Sequence, residues 1–303
     1  MFSYRHGFHA GNHADVLKHM TWLAILRYMT SKPKPLMLVD THAGAGLYSL
    51  EGGYAEKSGE YLEGIQKLFS AQADKRVQED TILTDYLNCI NSLQIGSQQE
   101  NAHTSDNTDI IVQESALKFY PGSPWVTAYA MRDEDALRAF ELHSTDFPLL
   151  AHNIAALRQG THIQPIYADG FAGLKAFLPP ASRRGAVLID PSYENKMDYR
   201  AVVDTLKDAC SRFSTGTYAV WYPLIARPEA RGFADRMKKI HPKWLDVTLR
   251  IGQPEGSRLL ATGMFVINPP WTLEAQLRGA LPILKDVLKL NEGASWEICC
   301  GAT

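Results

Sequence analysis

Asp190 closes an apolar, β-branched run at residues 186–189 and is followed by a proline, a serine and Tyr193. The run is typical of a buried strand in a parallel sheet, and Asp-Pro-Ser is typical of the turn beyond it. Ligands in open α/β sheets bind beyond the carboxyl ends of the strands. An acid and a backbone carbonyl there can accept both N–H groups of an exocyclic amine, and the tyrosine ring can stack. The turn predicts a site for a planar, amino-substituted base removed from its stack, although a solvent-facing acid in an ordinary turn has the same sequence.

A glycine-rich loop follows the first apolar strand of the chain. That strand ends at Asp40, and the loop continues through His42, Gly44 and Gly46. Glycines let a ligand approach the backbone closely. A dinucleotide fingerprint requires glycine where Ser49 stands, and the loop has no Walker lysine, so the pattern favours an adenosyl ligand over a diphosphate. A tight glycine turn without a ligand is the alternative.

Two later strands end in acids that could hold parts of an adenosyl ligand. Glu141 lies in a short strand at residues 139–143 and could accept hydrogen bonds from two ribose hydroxyls. Asp169 and Gly170 end the strand that begins at residue 161, and an acid at such a position commonly accepts from adenine N6. The alternatives are a surface acid at Glu141 and a helix N-cap at Asp169.

The first nineteen residues include four histidines, namely His6, His9, His13 and His19. A metal site is one interpretation, but no carboxylate or thiolate accompanies them at a fixed helical spacing, and we expect no metal. We favour a polar flap over a site, with Tyr4, His6 and Lys18 able to contact the substrate; a solvated tail is a third possibility. Asn12 and Asp15 have the spacing of a helix start, which predicts a helix to about residue 28. Its apolar face comprises Val16, Met20, Leu23 and Ala24.

The composition indicates an ordinary globular enzyme. The 303 residues are 45% hydrophobic and 21% charged, and the net charge of -2 argues against coating nucleic acid by bulk charge. The four cysteines form no C-x-x-C pair, so a zinc ribbon and a disulfide framework are both disfavoured. The start of the chain lacks an apolar signal region, and no apolar run approaches membrane-spanning length. We therefore expect a cytoplasmic protein.

The alternation of strands and helices is interrupted between about residues 52 and 120. Two helical faces occur there, followed by a polar stretch at residues 96–109. We predict one domain over residues 1–303 with a small helical insertion at about 52–120 and a mobile polar loop near 96–109. Basic residues cluster at residues 227–243, where they could contact phosphates or form a solvated helix face.

A second acid-or-amide turn competes with the one at Asp190. Asn268-Pro-Pro-Trp271 is closer by its letters to an (Asp/Asn)-Pro-Pro-aromatic signature. Its position argues against it, since Asn268 ends the last strand of the fold. Asp190 ends the fourth strand, which in a doubly wound sheet can lie beside the first strand, at the switch point.

These stretches together resemble one family, the bacterial 23S ribosomal RNA adenine-N6 methyltransferases called RlmJ. The resemblance covers nearly the whole chain in the same order. The matching stretches are Ser3–His6, Phe8–His19, Asp40–Gly46, Gly59–Ile65, Tyr120–Pro124, Glu141–His143, Ala168–Phe171, Ser182–Gly185, Ile189–Pro191 and Ile267–Trp271. It implies an α/β, Rossmann-like methyltransferase sheet with helices on both faces and a small helical insertion. The implied reaction uses S-adenosylmethionine to methylate adenine 2030 of 23S rRNA at N6.

The resemblance also implies roles for individual residues. Asp190 would be catalytic and would touch the cofactor, and Tyr4, His6 and Lys18 would hold or activate the base that Tyr193 stacks on. The other implied cofactor contacts are His19, His42, Ser123, Glu141, Asp169 and Gly170. Ser192 departs from the family, which has a proline there, and this departure puts the rigidity of the turn in doubt. The implied partner is 23S rRNA, naked or in an early assembly intermediate, with no membrane, and we expect a monomer.

Two other functions remain open from the sequence. The turn at Asp190 can also hold a side-chain amide, so a methyltransferase acting on a protein amide or another amine is an alternative. A non-catalytic RNA-binding module is the other, and it predicts no affinity for S-adenosylmethionine. In the favoured mechanism the adenine flips out, and Asp190 with the turn carbonyl directs the N6 lone pair toward the methyl group.

Overall fold

The computed structural model describes residues 5–51, 53–99, 117–157, 162–253 and 258–302. The strands are β1 (Met37–Asp40), β2 (Leu47–Ser49), β3 (Phe119–Pro121), β4 (Ala136–Glu141), β5 (Ile163–Tyr167), β6 (Gly185–Ile189), β7 (Thr217–Pro223), β8 (Trp244–Arg250), β9 (Ala261–Ile267) and β10 (Ser295–Cys300). Eight of them form a central sheet in the order β5-β4-β1-β6-β7-β9-β8-β10, and β2 pairs with β3 separately.

Helices connect these strands. They are α1 (His13–Thr30), α2 (Tyr54–Ser58), α3 (Ile65–Ser70), α4 (Lys75–Glu79), α5 (Thr81–Gln99), α6 (Ser123–Ala130), α7 (Asp146–Ala155), α8 (Gly170–Gly173), α9 (Asp198–Arg212), α10 (Phe233–Lys238) and α11 (Leu273–Leu288). Short 3-10 turns occur at His6–Phe8, Glu60–Glu63, Leu174–Phe177 and Pro228–Ala230. No helix in the described ranges is both long and apolar enough to span a membrane.

The order of the parallel strands reverses at β1. This strand pairs in parallel with β4 on one side and with β6 on the other. Strands β5 and β7 extend the parallel region, whereas β9 runs antiparallel between β7 and β8. The predicted Rossmann-like sheet is therefore confirmed, and the strand before Asp190 lies beside the first strand, at the switch point.

Both faces of the sheet are covered by helices, which explains its continuous apolar strands. Alternate side chains enter opposite cores: Leu38 packs with the layer that contains α1, α5, α6 and α11, and Val39 packs with the layer that contains α9 and α10. Leu188 and Val187 of β6 divide in the same way. The period of two is that of a strand with two buried faces.

Helix α1 is buried almost all round. Fifteen of its 18 residues are buried, including the predicted apolar face, and the helix runs two residues past the predicted end, to Thr30. Asn12 caps it as predicted, since its side-chain oxygen accepts hydrogen bonds from the backbone N–H groups of Ala14 and Asp15. A helix enclosed on every side belongs to the core, so any charged residue on it must find a partner there.

A small ladder of two strands flanks the helices of the stretch predicted as an insertion. β2 and β3 are antiparallel, and α2 to α5 lie between them in the chain. Helix α5 continues through Gln99, so the first residues predicted as a polar loop are helical, and residues 100–116 lie outside the described part. The Gln94 side chain donates to the Phe119 carbonyl and accepts from the Lys118 and Phe119 N–H groups, which ties α5 to β3.

Three strands were missed by the sequence patterns. β2 and β3 have three residues each, too few to show a period. β10 is an edge strand that pairs antiparallel with β8, and most of its side chains are exposed or half-buried. A strand at the edge of the sheet does not need an alternating apolar face, so the sequence of β10 has no period by which it could be recognised as a strand.

Candidate active site

The carboxyl ends of β1, β4, β5 and β6 open into one cavity of about 460 Å³. This volume is typical of a site for a small organic ligand. Its lining includes nine of the predicted site residues, namely His6, Lys18, His19, His42, Ser123, Glu141, Asp169, Gly170 and Asp190. Tyr4 lies outside the described residues. The structure thus brings together side chains that are spread over 185 positions of the chain.

A chain of buried charges links the N-terminal segment to Asp190. The Lys18 Nζ atom donates to Asp190 Oδ2 at 2.5 Å and lies 2.7 Å from Asp15 Oδ1. The second oxygen of Asp15 lies 2.9 Å from His6 Nε2 and accepts the Gly11 backbone N–H at 2.9 Å. Asp15 therefore holds two predicted substrate-contacting residues, His6 and Lys18, with its two oxygens.

The pKa shifts in this network follow from burial and charge. Burial alone would raise the pKa of Asp15, but the charges of His6 and Lys18 hold it well below its usual value. Burial alone would lower the pKa of Lys18, but Asp15 and Asp190 raise it above its usual value. Burial raises the pKa of Asp190, against the neighbouring Lys18. Lys18 is thus a fixed ammonium group between two carboxyl groups.

Asp40 lies behind the glycine loop, close to this network. It ends β1, and its Oδ1 atom accepts the His42 backbone N–H at 3.2 Å. Burial raises the pKa of Asp40 to about 7, although hydrogen bonding from Ser123 and His42 favours the charged form and Asp190 raises the pKa further. A carboxyl group with a raised pKa therefore lies beside the cavity.

Glu141 anchors the glycine loop. Its Oε2 atom accepts the Gly44 backbone N–H at 2.8 Å, and its Oε1 atom accepts the His143 N–H at 2.6 Å. Burial raises the pKa of this carboxyl, and the two N–H groups oppose that shift. Each carboxylate oxygen has a further lone pair, so Glu141 can also accept from hydroxyl groups inside the cavity.

Asp169 acts as a helix N-cap, the alternative that the sequence left open. Its Oδ1 atom accepts the Phe171 N–H at 2.8 Å and the Ala172 N–H at 3.4 Å, while the side chain also lines the cavity. Gly170 must be glycine, because a Cβ atom there would lie 2.0 Å from the Thr41 carbonyl oxygen. The His42 ring stands edge-on to Phe171 at 4.7 Å, and burial lowers the pKa of His42 to about 4, so the ring is neutral.

His19 presents an unused polar atom. Its Nδ1 atom lies 2.9 Å from the Tyr120 hydroxyl, which in turn lies 2.8 Å from the Tyr86 hydroxyl. Its Nε2 atom is buried and has no hydrogen-bond partner within the described residues. Burial, reinforced by Lys18, lowers the pKa of His19 well below its usual value. A neutral imidazole with one unsatisfied nitrogen in a cavity wall fits a polar ligand.

Tyr193 does not reach the cavity, which contradicts the predicted stacking surface. The side chain is 1% exposed, and its hydroxyl donates to the Trp221 carbonyl at 2.7 Å. The ring packs against Tyr199, Trp221 and Phe233. The reason is the backbone: Tyr193 has a φ of 55°, a left-handed conformation that turns the side chain into the core, and sequence letters do not reveal the sign of φ.

The competing turn at Asn268 lies away from the cavity, as its position predicted. β9 is antiparallel to β7, so the end of β9 lies beside the start of β7. Asn268 is therefore at the amino ends of the parallel strands, whereas Asp190 is at their carboxyl ends. The Asn268 amide donates to the Ser214 and Gly216 carbonyls. Its side chain therefore serves the turn itself.

Sequence analysis missed two residues that shape the site. The sequence indicates only a helix-start acid at Asp15, although its i, i+3 spacing from Lys18 places both on one face of α1. Tyr48 also lines the cavity: its ring lies 5.3 Å from the His6 ring, and its hydroxyl accepts the Ala45 N–H at 3.2 Å. No local pattern identified Tyr48, because β2 is too short to be recognised.

Three of the four N-terminal histidines have separate partners, and the buried Nε2 atom of His13 has no hydrogen-bond partner in the described residues. His6 contacts Asp15, His9 contacts Glu60 at 3.0 Å, and His19 contacts Tyr120. The described residues contain no group of three or more histidine, cysteine or acidic side chains that could hold a metal ion. His6 and His9 therefore have carboxylate partners, Asp15 and Glu60, which the sequence spacing did not reveal.

The chain is similar to a described protein family and to proteins of several bacteria. The family model described as "Ribosomal RNA large subunit methyltransferase D, RlmJ" matches residues 33–298. Ribosomal RNA large subunit methyltransferase J of Escherichia coli is 41% identical over 291 residues, 95% of this chain and 94% of that protein. The protein of the same name from Haemophilus influenzae is 38% identical over 304 residues, 98% of each. A crystal structure of a Legionella pneumophila protein superposes with a TM-score of 0.82 at 31% identity, over 97% of this chain and 99% of that one.

Proposed function

The chain belongs to the ribosomal RNA large subunit methyltransferase family RlmJ, and on this premise we propose that it methylates N6 of an adenine in 23S rRNA with S-adenosylmethionine. The observation that carries the proposal is the Asp190 carboxylate, which is fixed by Lys18 in the cavity beside the glycine loop. The position, adenine 2030, rests on the family resemblance.

The cavity residues fit S-adenosylmethionine. The unsatisfied His19 Nε2 atom supports a polar ligand at that wall, and the lone pairs of Glu141 suit a ribose. Gly44 and Gly170 bring backbone rather than side chains to the cavity wall. We assign His19, His42, Ser123, Glu141, Asp169, Gly170 and Asp190 to the cofactor. When bound, S-adenosylmethionine supplies an electrophilic methyl group.

We assign Asp190 as the residue that binds the adenine N6 amine. Lys18 contacts Oδ2, so Oδ1 is the atom we assign to an N6–H group, with the backbone carbonyl of the turn taking the second one. Both acceptors lie at the end of one strand, and a fixed carboxylate there orients the amine without reorganising during the reaction. His6 and Lys18 line the same cavity and are assigned to the base.

We also assign Asp190 as the acceptor of the proton that leaves N6. The amine carries one proton too many after it gains the methyl group. Burial raises the pKa of Asp190, which favours acceptance of that proton. The Lys18 ammonium group, which contacts the Asp190 carboxylate, favours the charged form and opposes this shift. Burial thus makes Asp190 a better proton acceptor, and Lys18 limits how far its pKa rises.

Asp190→Ala tests the assignment. We expect methyl transfer to fall by at least about a thousandfold, because the amine loses its orienting acceptor, while cofactor affinity falls far less. The measurement is tritium transfer from labelled S-adenosylmethionine to deproteinised 23S rRNA, with calorimetric titration of the cofactor. Turnover close to that of the wild type would remove Asp190 from the mechanism.

The same assay separates the other functions. Label transferred to ribosomal protein and not to deproteinised rRNA would favour an amide or amine of a protein as the acceptor. No heat of binding with S-adenosylmethionine would favour a non-catalytic RNA-binding module. We further propose that a monomer acts on naked rRNA or an early assembly intermediate. Activity on transcribed rRNA and gel filtration test these points.

A further inference from the structure

An exposed aromatic ring with two cations borders the cavity. Tyr54, at the start of α2, is 41% exposed. The Arg5 guanidinium lies 5.1 Å from the centre of its ring and donates to its hydroxyl at 2.7 Å. The Lys57 Nζ atom lies 6.0 Å from the same ring centre. We call these three residues the arm patch.

The arm patch adjoins the cavity through the N-terminal segment. His6 lines the cavity, and its neighbour Arg5 belongs to the patch. A Cβ atom on Gly7 would lie 3.4 Å from Tyr54, and the Phe8 ring lies 4.7 Å from the Tyr54 ring. A strand whose base entered the cavity past His6 would therefore pass over the patch.

The arm patch is a cationic surface beside a cavity with acidic lining residues. Asp146, Asp169 and Glu194 line the cavity, where carboxylates repel phosphates. Neither Arg5 nor Lys57 forms an ion pair with a carboxylate in the described part of the chain. Cations near a site that form no ion pair with a carboxylate keep a charge that phosphates can neutralise.

The basic segment at residues 227–243 is less available. Arg227 donates to the Tyr193 carbonyl, and Arg236 donates to the Arg231 and Glu229 carbonyls. Lys238 lies 3.2 Å from the buried Asp246 carboxylate. These side chains have partners within the fold, which makes that segment a weaker candidate for phosphate binding.

We propose that the arm patch binds the RNA strand that flanks the target adenine. Arg5 and Lys57 contact its phosphates, and the Tyr54 ring stacks on a neighbouring base. Cations that follow the backbone, combined with an aromatic platform, are the usual means of holding a single strand without reading its sequence. The inference rests on the proposed function, since it takes RNA as the substrate.

Lys57→Ala and Arg5→Ala test the phosphate contacts, with Lys207→Ala as the matched control. Lys207 is likewise an exposed helical lysine, but it lies towards the far end of α9. The probe is an RNA hairpin that contains the target adenine, titrated at several salt concentrations. We expect roughly three- to tenfold weaker binding for each patch variant and a salt slope smaller by about 0.7 to 0.9, as for one lost phosphate contact. The control should match the wild type.

Tyr54→Ala tests the stacking, and Tyr54→Phe separates the ring from the hydroxyl. We expect the alanine variant to raise the KM for RNA and to leave the salt slope unchanged, whereas the phenylalanine variant retains RNA affinity. Affinity for S-adenosylmethionine and kcat at saturating RNA should stay at wild-type values in every patch variant. Thermal unfolding checks that each variant is folded.

The outcomes separate this inference from the proposed function. A wild-type enzyme that methylates the hairpin, together with Lys57→Ala and Arg5→Ala variants of unchanged affinity and slope, overturns the arm patch alone. A wild-type enzyme that methylates no RNA overturns the proposed function, whatever the variants bind.

Discussion

Asp15 has both carboxylate oxygens engaged by residues assigned to the adenine. Lys18 contacts one oxygen, and His6 with the Gly11 N–H contacts the other. The side chain is 2% exposed, so solvent does not replace these contacts. Asp15 is therefore a positioning residue for His6 and Lys18.

Asp15→Asn should lower kcat by roughly a hundredfold, because a small displacement of reacting groups has an effect of that size. If Asp15 acts through Lys18, the same substitution should cost at least about tenfold less in a Lys18→Met background. The measurement is single-turnover methyl transfer by the four members of the cycle, with cofactor affinity as the control. Fully additive effects would show that Asp15 does not act through Lys18.

Asp40 predicts a pH dependence of stability with a definite sign. Its pKa is raised from 3.8 to about 7 in the folded protein. The group therefore contributes stability that is complete below the unfolded-state pKa and is lost as pH rises through the folded-state pKa. Relative to Asp40→Asn, the wild type should lose roughly 4 kcal/mol of unfolding free energy over this range, since one pKa unit corresponds to about 1.36 kcal/mol.

Urea unfolding without cofactor, at several pH values between about 4 and 8, measures this difference. Titrating groups that do not interact with Asp40 contribute equally in both proteins and cancel in the comparison. A stability difference that stays constant with pH, or that changes in the opposite direction, would contradict a raised pKa for Asp40.

Helix α1 carries much of the site, and its start is fixed by one side chain. Asn12 caps the helix with its oxygen, and its Nδ2 atom donates to Glu60 at 2.9 Å. Glu60 also contacts His9, so the insertion and the N-terminal segment meet at the first turn of α1. The position of Asp15 depends on this junction, because the cap accepts the Asp15 N–H.

Asn12→Ala should reduce the free energy of unfolding by about 1–2 kcal/mol, the usual cost of a lost cap, and should also lower kcat because Asp15 loses its backbone anchor. Urea unfolding and methyl transfer are the two measurements. Asp74→Ala removes the cap of α4, which is outside the site, and should cost stability without loss of activity. An Asn12→Ala enzyme that is destabilised but fully active would show that the cap stabilises the fold without positioning Asp15 for catalysis.

Elements with a clear period were predictable from the sequence, and the elements without one were not. The strands before Asp40, Glu141 and Asp190 follow from apolar runs that end in acids, and the start of α1 follows from Asn12. The charge network did not follow from any pattern, because Lys18 and Asp190 are far apart in the chain. The core position of Tyr193 depends on one backbone angle that no pattern encodes.

At the scale of the whole molecule, topology explains why the site could be located at all. The switch point beside β1 gathers the ends of β4, β5 and β6 around the glycine loop, so acids at those ends had to share a cavity. The same topology excludes Asn268, whose strand runs the other way. Topology does not specify which helix covers the cavity. In this protein it is α1, whose buried residues Lys18 and His19 line the cavity.

The hydrogen bonds between Gln94 and β3 have a consequence for protein engineering. They join α5 to residues 118 and 119 directly, so this contact does not depend on residues 100–116. Doubling the length of a closed loop costs only about 0.6 kcal/mol in chain entropy. A tag or a second RNA-binding peptide inserted between residues 100 and 116 should therefore leave the catalytic centre unchanged.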